Sequence, residues 1–96
     1  MNKSVSVIAF ISSNADSIEI VETSLRNAVR NIQNEPGCEV YKLHINSDNT
    51  SQFILYEVWS SRELLEKHSK ADSFVRLSNE LSGKAELSVV FMDDCD

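Results

Sequence analysis

Basic residues are in short supply. Nine lysines and arginines face fifteen acidic residues, and the net charge of -6 repels phosphate backbones and anionic membranes, so neither nucleic acid nor membrane is expected as a partner. Long apolar runs are missing too: none approaches the roughly 18 residues that span a bilayer. The apolar segment Val5 to Ile11 is short and broken by Ser6, which does not fit a signal peptide, and the cytoplasm is the expected address. Cysteine is confined to Cys38, just after a turn, and Cys95, in an acidic tail. Two thiols so far apart suggest no structural disulfide, and neither lies in a Cys-x-x-Cys or Cys/His spacing, so no metal site is expected. Cys38 reads as a small hydrophobe opening a strand. There is no internal repeat, linker or low-complexity segment. What remains is 96 residues with 42% apolar content, enough for one core, hence a single domain over 1–96 with a solvated tail at 93–96.

The apolar pattern lays out six main elements. Val5, Val7, Ala9 and Ile11 alternate along a first strand, Ser4 to Ser12. Asp16 or Ser17 caps a helix that runs to about Gln33, with Ile18, Val21, Leu25, Ala28, Val29 and Ile32 on one stripe and Arg26 and Arg30 off it. Glu35-Pro36-Gly37-Cys38 stops that helix. A second strand, Glu39 to Asn46, sets Tyr41, Leu43 and Ile45 against Val40, Lys42 and His44. His44 reads as a surface or dimer-face residue without a role. Ser47 to Ser51 forms a hairpin loop into a third strand, Phe53 to Trp59. Ser60 or Ser61 caps the next helix, which breaks near Ala71; Asp72 or Ser73 then starts a further helical stretch turning Phe74, Val75, Leu77 and Leu81 inward until Ser82-Gly83. The last strand is Ala85 to Met92.

This order predicts an α+β domain, a ferredoxin-like β-α-β-β-α-β antiparallel sheet. Helices cover one face of such a sheet. The apolar residues Ile54, Tyr56 and Val58 on the other face need a lid, and a second copy of the chain is the expected one, giving a sheet-on-sheet homodimer.

The third strand carries the chemistry. Phe53, Leu55, Glu57 and Trp59 share a face, and a carboxylate in that row needs a donor or a wet cavity. Glu57 is expected to meet His68, a backbone amide or Arg62. Trp59 either closes the core or offers a stacking surface, and Tyr41 and Phe74 are either core or pocket wall.

Glu35-Pro36-Gly37-Cys38 after a helix, then Tyr41, Glu57-x-Trp59, His68 and Phe74 resemble the antibiotic biosynthesis monooxygenase (ABM) domain family, quinol-monooxygenase-like, from Val7 to about Val90. The resemblance implies a ferredoxin-like fold of the dimeric α/β-barrel type. It also implies oxidation of a small hydrophobic aromatic or quinol-like molecule by molecular oxygen, with no metal, flavin or other cofactor. This chain has Ser73 where many quinol-type members carry a second histidine. Haem-degrading relatives use an asparagine on the first strand, a tryptophan on the third and a late histidine as haem ligand; Trp59 matches, but Ala9 and Leu77 stand at the other two positions, so haem is not expected.

Cofactor-free oxygenation needs a dry pocket, a base that makes the electron-rich phenolate, and donors for the developing oxyanion. His68 is the candidate base, since a free imidazole titrates at about 6.5. Glu57 is the candidate to orient it. Trp59, Tyr41, Ser73 and Phe74 are the candidate substrate-binding residues. A non-catalytic dimer that binds a small ligand, or a proton-transfer isomerase on the same scaffold, remains as an alternative.

Overall fold

A computed structural model of the chain describes residues 4–95. The elements are β1 (Val5–Ser13), α1 (Ile18–Ile32), β2 (Cys38–Asn46), β3 (Asn49–Trp59), α2 (Arg62–Lys70), α3 (Asp72–Leu81) and β4 (Ala85–Met92). The strands form one sheet in the order β2-β3-β1-β4, every neighbouring pair antiparallel. This is the expected ferredoxin-like α+β arrangement, with its second helix divided in two. Among the described residues no helix is long and apolar enough to cross a membrane.

Strand alternation sets the core. Val5, Val7, Ala9 and Ile11 of β1 and Phe53, Leu55, Glu57 and Trp59 of β3 are buried beneath the helices. Helix α1 lays Val21, Leu25, Ala28 and Ile32 onto this face, the stripe its spacing predicts. Ser17 occupies the cap position of α1 without a side-chain cap bond, whereas Ser61 caps α2 by accepting from the Leu64 amide at 3.2 Å. Ala71 takes an extended backbone conformation and separates α2 from α3.

The structure corrects two details. The hairpin loop is shorter than Ser47 to Ser51: β3 already begins at Asn49. Asn46 accepts the Asp48 amide at 2.9 Å and donates to Gln52 at 2.8 Å, closing the turn with side chains and letting Asn49 to Ser51 join the strand. Val75 is exposed, because it lies about 200° around α3 from Leu77, on the far side from the buried stripe.

The opposite face of the sheet has no covering element in the described chain. Ile8, Phe10, Ile54 and Val58 are half-buried there and Tyr56 is exposed. On the covered face the helix layer stops short of β4. Helix α3 packs chiefly on α1, and β4 keeps its helix-side residues Leu87, Val89 and Phe91 in the open.

Candidate active site

Among the described residues three polar side chains are buried: Ser24 of α1, Glu57, which is 6% exposed, and His68, which is 5% exposed. Strand β3 aims Glu57 at the helices because it shares the face of Leu55 and Trp59. Helix α2 turns His68 inward beside Leu65, three residues earlier on the same face.

Each polar group has a different anchor. The Trp59 indole donates to Glu57 Oε1 at 3.0 Å. His68 Nδ1 lies 2.9 Å from Glu35 Oε1, and the Ser73 hydroxyl donates to Glu35 Oε2. A carboxylate accepts, so the proton on that side of the ring belongs to Nδ1, and the lone pair of the neutral imidazole falls on Nε2. Glu35 thus does for His68 what Glu57 was expected to do. Arg62 does not pair with Glu57 either; its guanidinium lies 5.4 Å from the centroid of the Phe91 ring.

Glu35 reaches the site through the turn that stops α1. The Cys38 amide donates to Glu35 O at 3.1 Å, and the Ser60 amide donates to Gly37 O at 2.8 Å, tying the turn to the entry of α2. Gly37 has φ 84, and a Cβ there would lie 2.5 Å from Leu64 Cδ1. Both the backbone conformation and the contact with α2 therefore require glycine. The turn is seated on the helix that carries His68.

Aromatic rings enclose the imidazole. Trp59 stacks on it at 4.5 Å between centroids with 26° between planes, and Tyr41 and Phe74 present edges at 6.0 and 5.3 Å. Beside this box lies a cavity of about 130 Å³ lined by Tyr41, Glu57, His68 and Phe74, floored by Val7 and Ala9, and bounded toward β4 by Leu87, Val89 and Phe91. Of the six candidate residues, four line it. Trp59 does not: it is fully buried with a face spent on His68, so it supports the site from behind instead of offering a platform to a guest. Ser73 is drawn to Glu35 and also lies outside the cavity wall.

Among the described residues no enclosed side-chain nitrogen or oxygen lacks a partner. Glu57 Oε2 and His68 Nε2 make no protein hydrogen bond, so both open onto accessible space. Burial raises the Glu57 pKa, and the Trp59 hydrogen bond and the His68 charge oppose that shift without cancelling it. Tyr41 is pushed well above the phenol range, chiefly by burial and then by the charge of Glu57, and stays a neutral hydroxyl. Burial with the charges of Glu57 and Glu35 raises Cys38 to about 11, which disfavours thiolate chemistry. Among the described residues no group of three or more His, Cys, Asp or Glu side chains is arranged to hold a metal ion. The arrangement sets a carboxyl and an imidazole on the wall of one small apolar hollow.

Sequence reasoning missed Glu35 as a site residue. Its signal was an acidic residue in the Pro-Gly turn.

A family model described as antibiotic biosynthesis monooxygenase matches residues 4–79. No curated protein matches the chain. Among solved structures, one described as an antibiotic biosynthesis monooxygenase is 28% identical, covering 96% of this chain and 99% of that one with a TM-score of 0.89. A Pseudomonas aeruginosa protein is 25% identical over 100% of this chain and 98% of its own, with a TM-score of 0.92. A Bacteroides thetaiotaomicron protein of unknown function shares the fold at 20% identity, covering 98% of this chain and 100% of that one with a TM-score of 0.91.

Proposed function

The chain belongs to the antibiotic biosynthesis monooxygenase family, and from that premise we propose that it oxidises a small, single-ring hydroquinone with molecular oxygen. The observation that carries this reading is the meeting of Glu57 and His68 at an apolar cavity of about 130 Å³. An engineered apolar cavity of about 150 Å³ holds one benzene, so the guest is a single ring.

In the proposed reaction His68 Nε2 takes a hydroxyl proton from the hydroquinone, while Glu35 holds the ring through Nδ1. The electron-rich anion passes one electron to oxygen, and the semiquinone and superoxide combine through a new C–O bond. The imidazolium protonates the peroxide. His68 then removes the proton from the carbon that bears it, the O–O bond breaks, and the departing hydroxide leaves as water with that proton. Hydroquinone plus oxygen becomes hydroxyquinone plus water, the substrate supplying all four electrons. Glu57, held toward its protonated form by burial, donates to the developing oxyanion.

Oxygen uptake with methylhydroquinone tests this. His68→Ala should slow it by about 100-fold or more. Uptake no faster than in buffer with the native protein would sink the reading. Product formed without oxygen would favour the proton-transfer isomerase, which the same acid and base also suit.

We also infer a homodimer closed over the uncovered sheet face. Tyr56→Glu at its centre should shift a sedimenting dimer to monomer, and a native protein that sediments as a monomer rejects it.

A further inference from the structure

We propose that the substrate carries an aliphatic substituent that leaves the cavity over Leu87, Val89 and Phe91, making β4 the determinant of specificity for alkylated single-ring hydroquinones. This rests on the oxidative reading above and names the class of molecule that fits the site.

The site has a polar end and an apolar end. Val7 of β1 pairs with Glu57 on one side and Phe91 on the other, and Ala9 likewise joins Leu55 to Val89. Glu57 and Phe91 are therefore two strand spacings apart, about 10 Å across the sheet. A ring lying over Val7 and Ala9 places its hydroxyl against Glu57 and His68 and its far edge toward β4. There the wall turns into a shelf: Leu87, Val89 and Phe91 line the cavity and yet are 48%, 41% and 55% exposed. The α2 and α3 side chains that face them across the cavity leave them half open, and the Arg62 guanidinium of α2 on the Phe91 ring steadies that side chain at the rim. A cavity of about 130 Å³ is filled by the ring alone, so a hydrocarbon chain on its outer edge must run along this shelf. Continuity between hollow and shelf identifies the occupant, because the same three side chains serve both.

The test is anaerobic equilibrium binding of methylhydroquinone and pentylhydroquinone, read by Trp59 fluorescence, which the stacked His68 couples to the cavity. The pentyl compound should bind at least about 10-fold tighter, since each covered methylene contributes severalfold. Leu87→Ser and Val89→Ser should shrink the pentyl-to-methyl ratio, and Val75→Ser on the outer side of α3 should leave it unchanged. Two ligands binding equally well would overturn the proposal while leaving the oxidative reading intact. Neither ligand binding to folded protein would take down both. A ratio that survives the β4 substitutions sends the chain elsewhere. If those substitutions also dissociate a dimer, a second copy covers the shelf, and the proposal is wrong.

Discussion

The two flanks of the sheet use the same strand pattern and end in different states. Under α1, Ile11 and Phe53 meet Val21, Leu25 and Ile32, and all five are almost completely buried. On the β4 flank, Leu87, Val89 and Phe91 alternate just as regularly and stay open. Alternation fixes which way a side chain points, while burial depends on whether another element lies above it. Helix α3 packs chiefly on α1 and leaves Leu87, Val89 and Phe91 of β4 about half exposed. The cavity forms at the boundary between the closed flank and the open one.

The largest test of that contrast is stability. Leu25→Ala removes a fully buried side chain from the closed flank and should cost about 2–5 kcal/mol in chemical denaturation. Val89→Ala on the open flank should cost within about 0.5 kcal/mol. Equal losses would mean that β4 is covered in solution, by a second copy or another partner.

Much of this arrangement was legible before any coordinates. Period two placed Glu57 and Trp59 on one face and the turn formers placed the β2–β3 hairpin, whereas His68 was singled out by the family resemblance and not by its helical spacing. Val75 was misplaced: it was expected inward with Phe74, Leu77 and Leu81, although two residues of helix set it on the far side from Leu77. Glu35 was not legible. It meets His68 across 33 positions of sequence, and the seating of Gly37 against Leu64 together with the Ser60 amide on Gly37 O brings the turn to α2. Nor does a strand pattern reveal what covers an indole: Trp59 faces the right way, but its partner is the imidazole. Sequence periodicity reports direction, and contacts between distant elements decide which directed groups remain free to act.

A smaller effect separates the cavity from the packed core around it. Ala9→Leu adds three carbons to the cavity floor, where space exists, so the stability cost should stay below the 1–3 kcal/mol typical of overpacking a filled core. Methylhydroquinone affinity should fall at least about 10-fold, because the ring and the new side chain compete for the same volume. Binding that survives a correctly folded Ala9→Leu would place the guest outside this hollow.

The smallest effect concerns the charge that the boundary must hold. Burial raises the folded-state pKa of Glu57 above its unfolded value. The sign follows from proton linkage: a group with a raised folded pKa contributes its full stability below the unfolded value and loses it as pH rises through the folded value. Glu57→Gln keeps an acceptor for the Trp59 indole and cannot ionise. Denaturation of the two proteins from the ordinary carboxylate range upward should therefore show the native protein losing ground to Glu57→Gln until Glu57 is fully charged, with a constant difference beyond. Parallel curves across that range would mean that Glu57 is as well solvated folded as unfolded. The cavity would then be wet enough at its polar end to stabilise the anion, and the oxyanion donor would have to be the Tyr41 hydroxyl, which remains neutral throughout.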